Sequence, residues 1–336
     1  MTEKISQRNQ TMDLLKLLSA YMIVFIHINF YGQTGLQIVA VARYAVPFFF
    51  VVSGYFSAYI SEATVRRRIL RLLYLFIYSE IIYIIFKLYQ YYNIGGMEKL
   101  ISFFDRFKLV KTYTRLFIFN TPLGSTHLWF LPALIYVYII YLLIIKFKIS
   151  DRLCYTFAIL LLSVCLFFCE ISPAMGNRYE EYLSRNFLFT GLPFFIFGLF
   201  VKKNEAVFRK LPLYAALLSF LTGLLFTFIS LNKIGKCELY FGSLFIMLGA
   251  VMLSVKYSHK TYSSAVLILS ACSTNIYIFH KIVYDILVIV LENRSIDTSG
   301  VFFTNIIPFL ICVLTSVLAI ILNLCSKNTR KLIKKQ

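Results

Sequence analysis

Apolar residues run through the chain in long blocks separated by short polar stretches. A block of about 20 residues matches the roughly 30 Å hydrocarbon core of a bilayer at 1.5 Å of helix rise per residue. The blocks predict ten membrane-spanning helices, at about 12–31, 37–60, 69–92, 126–147, 153–170, 184–201, 211–231, 239–256, 262–291 and 302–325. The ninth is overlong, which predicts a tilted helix or one that extends past the bilayer. The longest polar connection, about 93–125, mixes Leu100, Phe103, Phe104, Phe107, Leu109 and Val110 with Asp105, Arg106, Lys108 and Lys111. It reads either as an amphipathic helix on the outer surface or as a solvated connector with anchoring aromatics. Prolines within the blocks, at Pro47, Pro132, Pro193 and Pro308, predict bends, because proline removes a helical hydrogen bond.

The expected fold is all-α: a polytopic membrane helix bundle forming a single integral membrane domain, 1–336, with a basic tail at 327–336. Composition agrees, with 60% hydrophobic and only 15% charged residues across 336 positions, too few charges to cover a soluble surface. The net charge of +19 changes the picture through its distribution. With the N-terminus assigned to the cytoplasm, 20 Lys and Arg fall on cytoplasmic segments, 10 on outer segments and four within spans. The positive-inside rule then puts both termini in the cytoplasm, and the 93–125 connection is the one basic outer loop. The expected location is the plasma or inner membrane. No soluble basic face forms, so no nucleic-acid partner is expected. The seven cysteines lie mostly inside apolar blocks without paired ligand spacing; they read as small buried hydrophobes, and no metal is expected. The first block is long and no small-residue cleavage motif follows it, so no cleavable leader is expected.

Ionisable groups inside spans are costly and point to function. His27 sits near the outer end of the first block and Arg43 near the outer end of the second. His127, Arg185 and His280 fall at the same depth or at the outer rim, and Glu80 lies mid-span in the third block. This clustering in depth predicts one polar cavity. An imidazole is the natural general base near neutral pH. A guanidinium supplies fixed positive charge and a forked donor set for a thioester, a phosphate or a developing oxyanion. Simpler readings stand beside these: snorkelling for Arg43, an interfacial belt with Trp129 for His127, and an outer-loop charge for Arg185. Asp13 and Lys16 are spaced for a salt bridge at the cytoplasmic start of the first block. Asp13 and His27 are 14 residues apart, roughly 21 Å along a straight helix, so Asp13 cannot orient His27 directly unless the helix breaks. Lys281 and Asp285 are spaced for a structural ion pair.

DLLKLLSAYMIVFIH, starting at Asp13, resembles the first helix of the membrane-bound acyltransferase 3 family, with Asp13, Lys16 and His27 at its marked positions. Arg43 and Gly54, with ten residues between them, resemble the Arg–ten residues–Gly motif of its second helix. THLWFLPALIYVYII, SRNFLFTGLPFFIFGLF and STNIYIFHKIV resemble further family segments. The resemblance implies transfer of acyl groups, most often acetyl from acetyl-CoA, across the membrane to hydroxyls of cell-surface glycans. It implies a catalytic His27 and an Arg43 that binds the donor. The sixth block is also similar to the membrane half of certain vancomycin-resistance serine racemases, which are linked to serine uptake.

Two functions are therefore expected to compete. One is an O-acyltransferase whose partners are an acyl-CoA donor, a glycan acceptor and membrane lipid. There His27 acts as base or acyl relay, with Asp13, Lys16 and the Arg66–Arg68 run near the donor entrance. The run alone also reads as a positive-inside stop signal. The other is a transporter or solute-binding module using the same polar cavity; an inverted repeat would mark it, and none is visible.

Overall fold

A computed structural model describes residues 9–333 except 297 and 299. Lys4, Arg8 and the side chains of the 327–336 tail lie outside the described residues. The structure is 81% helix, and no strand occurs among the described residues. In chain order the helices are α1 (Gln10–His27), α2 (Gly32–Ala42), α3 (Ala45–Tyr55), α4 (Glu62–Asp105), α5 (Val110–Phe117), α6 (Phe130–Lys146), α7 (Asp151–Leu166), the single turn α8 (Ser172–Ala174), α9 (Leu192–Lys203), α10 (Glu205–Lys210), α11 (Leu213–Ile234), α12 (Phe241–Lys256), α13 (Ser264–Ser270), α14 (Ser273–Glu292) and α15 (Val301–Ile333).

All ten apolar blocks are helical. Seven helical segments are long and apolar enough to cross a membrane: Gly32–Tyr55, Glu62–Asn93, Thr126–Lys146, Asp151–Ala174, Leu213–Ile234, Ser273–Glu292 and Val301–Cys325. The other three blocks coincide with α1, α9 and α12. Each is short, or diluted by polar residues such as Asp13 and Lys16 in α1. Two blocks are divided. The second breaks at Arg43–Tyr44, between α2 and α3, and the ninth breaks at Ala271–Cys272, between α13 and α14. The ninth block is therefore two helices and not one tilted rod. The 93–125 connection is mostly helical: α4 continues to Asp105 through a kink at Gly95 and Gly96, where Gly96 has φ +57°, and α5 follows.

The prolines behave differently from expectation. Pro47 lies in the first turn of α3, where the N–H would have no helical partner, whereas Pro132 and Pro193 follow directly on a 3-10 turn (Thr126–Trp129) and a π turn (Phe187–Gly191), where the helical ladder is already irregular. Pro308 is the one inside a helix body, in α15.

Backbone packing divides the chain into two compact units, one made of residues up to Phe49 and from Asn204 on, the other of Phe50–Lys203. In the first, α1 packs against α12, α13, α14 and α2. Its buried face, Leu17, Ala20, Val24 and Ile28, meets Ile276, Ile307 and Ile311. The start of α1 is tied down by polar bonds. Asn9 caps Met12 N–H (2.9 Å) and donates to the Ser254 carbonyl (2.9 Å), while Thr11 donates to the Tyr257 carbonyl (2.6 Å).

In the second unit α4 packs on α6 and α7 on α9. The backbones of α3 and α9 touch through two glycines. A Cβ on Gly54 would stand 1.9 Å from the Phe195 carbonyl oxygen, and one on Gly198 would stand 2.1 Å from that of Val51. Arg68 closes the turn between α3 and α4, donating to Ser57 Oγ (2.8 Å), the Tyr138 hydroxyl (3.1 Å) and the Phe56 carbonyl (3.0 Å). Arg66 and Arg67 are exposed.

Candidate active site

His27 is the last residue of α1, so its imidazole lies at the carbonyl end of a helix, where the helix dipole is negative. His280 comes from the middle of α14, fully buried. The two rings stack, with centroids 5.3 Å apart and planes 30° from parallel. The tautomer of His280 follows from its neighbours. Nδ1 faces the carbonyls of Tyr277 (2.8 Å) and Ile276 (3.2 Å). Carbonyl oxygens only accept, so Nδ1 carries a proton.

Arg43 belongs to the same unit. It occupies the break between α2 and α3 with its own N–H turned to the Ala40 carbonyl (3.3 Å). Its side chain is buried, and Nη1 donates to Glu238 Oε2 at 2.9 Å. Its Nε has no hydrogen-bond partner among the described residues. A buried guanidinium that spends one fork on a carboxylate keeps further donors for an incoming oxygen. At the far end of α1, Lys16 pairs with Asp13 at 3.4 Å.

Glu80, His127 and Arg185 belong to the second unit. Glu80 Oε2 accepts the N–H groups of Leu123 (2.8 Å) and Gly124 (2.9 Å), so this carboxylate anchors the loop before α6. His127 is buried, hydrogen-bonded through Nδ1 to Ser125 Oγ (2.7 Å) and edge-on to Tyr83 at 5.0 Å. Arg185 pairs with Glu181 at 2.8 Å. Lys281 and Asp285 form a 2.7 Å ion pair. The shared depth read from the sequence thus resolves into two groups, His27–His280–Arg43 in one unit and Glu80–His127–Arg185 in the other.

A family model described as an acyltransferase domain matches residues 9–324. The chain belongs to the acyltransferase 3 family. Searches of curated proteins and of solved structures return no match. Family membership supports an acyltransferase activity and a multi-pass membrane protein, and the match takes in both units and every site residue above.

Two features of this acyltransferase-family site escape sequence reasoning. Glu238 stands in a short loop among Lys236, Cys237 and Leu239 and reads as a surface acid; nothing local registers it against Arg43, 195 residues away. The stacking of His27 on His280 was signalled only by their similar depth. Gly54, by contrast, is explained by packing: it lets α9 approach α3 at the Phe195 backbone.

Proposed function

We propose that the protein moves an acyl group, most simply acetyl from acetyl-CoA, to a hydroxyl of an extracytoplasmic glycan, with His27 as general base. The observation that carries this reading is the stacked His27–His280 pair in the unit that also holds the buried, incompletely used Arg43. A sugar hydroxyl is a weak nucleophile at neutral pH. His27 takes its proton as the oxygen attacks the thioester carbonyl. The C–O bond forms, Arg43 donates to the oxyanion, and the C–S bond then breaks. The leaving thiolate recovers the proton from His27 and departs as the CoA thiol. His280, held in one tautomer by two backbone carbonyls, fixes the face on which the His27 ring lies.

The donor enters from the cytoplasm in this scheme. Asp13 and Lys16, at the opposite end of α1 from His27, belong to that side and meet the anionic part of the CoA. The setting is a plasma or inner membrane, whose lipid surrounds the helices.

His27→Gln tests the base. Glutamine keeps a polar side chain of similar reach but takes no proton. General-base help is worth about 10²–10⁴ in rate, so glycan O-acylation, measured by mass spectrometry at matched membrane abundance, should fall to background. Wild-type acylation from this variant would remove His27 as the base. Solute uptake that survives the change, with no acylation in the wild type either, would favour the transporter reading.

A further inference from the structure

The second unit contains a cleft lined by none of the residues given a role in the transfer step. It has a volume of about 220 Å³, and its lining includes Arg115, Trp129, Glu180, Glu181, Tyr182 and Arg185. It lies at the start of α6, the end opposite Lys146, which the charge distribution assigns to the outer face.

The cleft is a built feature. Asn120, fully buried and in the left-handed region at φ +47°, accepts from Phe187 N–H (3.0 Å) and donates to the Trp129 carbonyl (3.4 Å). One side chain thereby fixes both walls. Asn186 braces the second wall. It donates to the carbonyls of Tyr182 (3.0 Å) and Leu183 (2.7 Å) and accepts from Leu188 and Phe189 N–H (2.9 Å each). The wall that carries Glu180–Arg185 runs between two π-helical turns, Phe167–Ile171 and Phe187–Gly191, a distortion that recurs at functional sites.

Its lining has a particular chemistry. Trp129 and Tyr182 supply aromatic surface. The Arg115 guanidinium lies over the Tyr182 ring at 5.5 Å, and its buried Nε has no hydrogen-bond partner among the described residues. Arg185 and Glu181 are paired, and Glu180 is exposed at the mouth. Two arginines and two glutamates balance, so the lining selects neither anion nor cation. Aromatic surface beside balanced bidentate donors and acceptors suits a ligand with an apolar C–H face and a rim of neutral hydroxyls. The volume is below the roughly 300–1,000 Å³ of a site for a drug-sized molecule, which fits one ring with its neighbours left outside.

We propose that this cleft binds a neutral saccharide ring and is a docking subsite for the glycan. The assignment of this ligand to the reaction rests on the glycan-acceptor reading above; the binding itself does not.

Trp129 is the only tryptophan in the chain, so intrinsic emission reports on the cleft directly. The full-length protein in phosphatidylcholine nanodiscs, without acyl-CoA and without maltoside detergent, is titrated with cellotetraose, maltotetraose and chitotetraose. At least one should give a saturable emission change below about 20 mM, the range of weak single-ring recognition. Tyr182→Leu should weaken it about tenfold, since it removes an aromatic platform, and Tyr182→Phe should leave it within about twofold. Glu180→Gln, on an exposed side chain outside the packing, should weaken it severalfold and guards against a folding defect in the leucine variant. Silence with all three sugars, an unchanged titration in both Tyr182→Leu and Glu180→Gln, or a response only to phosphatidylglycerol in the nanodisc would overturn the proposal. His27→Gln should bind as the wild type does, which separates the two readings. Acylation without an emission response sinks the cleft alone, and an emission response without acylation sinks the transfer reaction alone.

Discussion

Two carboxylates in this protein act through what they hold, and substitution separates the two cases. Glu80 receives two backbone N–H groups from the loop that leads to His127. Glutamine retains an acceptor oxygen, so Glu80→Gln should keep the loop and most of the activity. Glu80→Ala leaves the buried Gly124 N–H unsatisfied at about 1–3 kcal/mol and frees the part-buried Leu123 N–H, and should expose the 118–126 loop to limited proteolysis and lower activity. Equal loss in both variants would instead make the Glu80 charge itself important. Glu238 is a different case. Removing it strands the buried Arg43 guanidinium, and breaking a buried pair in this way costs about 3–5 kcal/mol. Thermal unfolding should therefore show a large drop for Glu238→Ala, and a double-mutant cycle with Arg43→Met should show strong coupling. Additive effects would mean that the 2.9 Å contact contributes little.

At the scale of helices, close backbone approach decides which positions tolerate change. Gly54 and Gly198 let α3 and α9 meet with no side chain between them. An added methyl at either position collides with a carbonyl that has no rotamer to adopt. Gly54→Ala and Gly198→Ala should each destabilise by about 1–3 kcal/mol, read as lower membrane abundance and a lower unfolding temperature, while exposed Gly176→Ala, although its φ is +86°, should cost only local strain. Normal abundance of both Gly54→Ala and Gly198→Ala would show that the helices can separate freely. The helices themselves were legible in the sequence because span-length apolar blocks leave little else for the backbone to do in lipid. Their interruptions were not. Arg43–Tyr44 and Ala271–Cys272 break within otherwise apolar runs, where hydropathy is unchanged across the break. The prolines within the blocks do not mark simple bends for a related reason: a helix break precedes Pro47, a 3-10 turn precedes Pro132 and a π turn precedes Pro193, and hydropathy shows none of these.

For the molecule as a whole, the charge distribution predicts sidedness. Reporter fusions at residues 62, 120, 205 and 295 should alternate cytoplasmic, external, cytoplasmic, external. A cytoplasmic reporter at 120 would invert the second unit and take the proposed saccharide cleft to the wrong face. The candidate site was readable only as a list of costly residues at one depth. Which of them share a unit depends on contacts such as His27 with His280, 253 positions apart, and no local pattern encodes these. The bonds from Asn9 and Thr11 to the end of α12 carry a mechanical consequence for the whole. They anchor the foot of α1 to the end of α12. Asp13 and His27, both on this one continuous helix, stand roughly 21 Å apart. For the proposed transfer this leaves the length of α1 between the donor side and His27, a distance that falls to the reach of the donor.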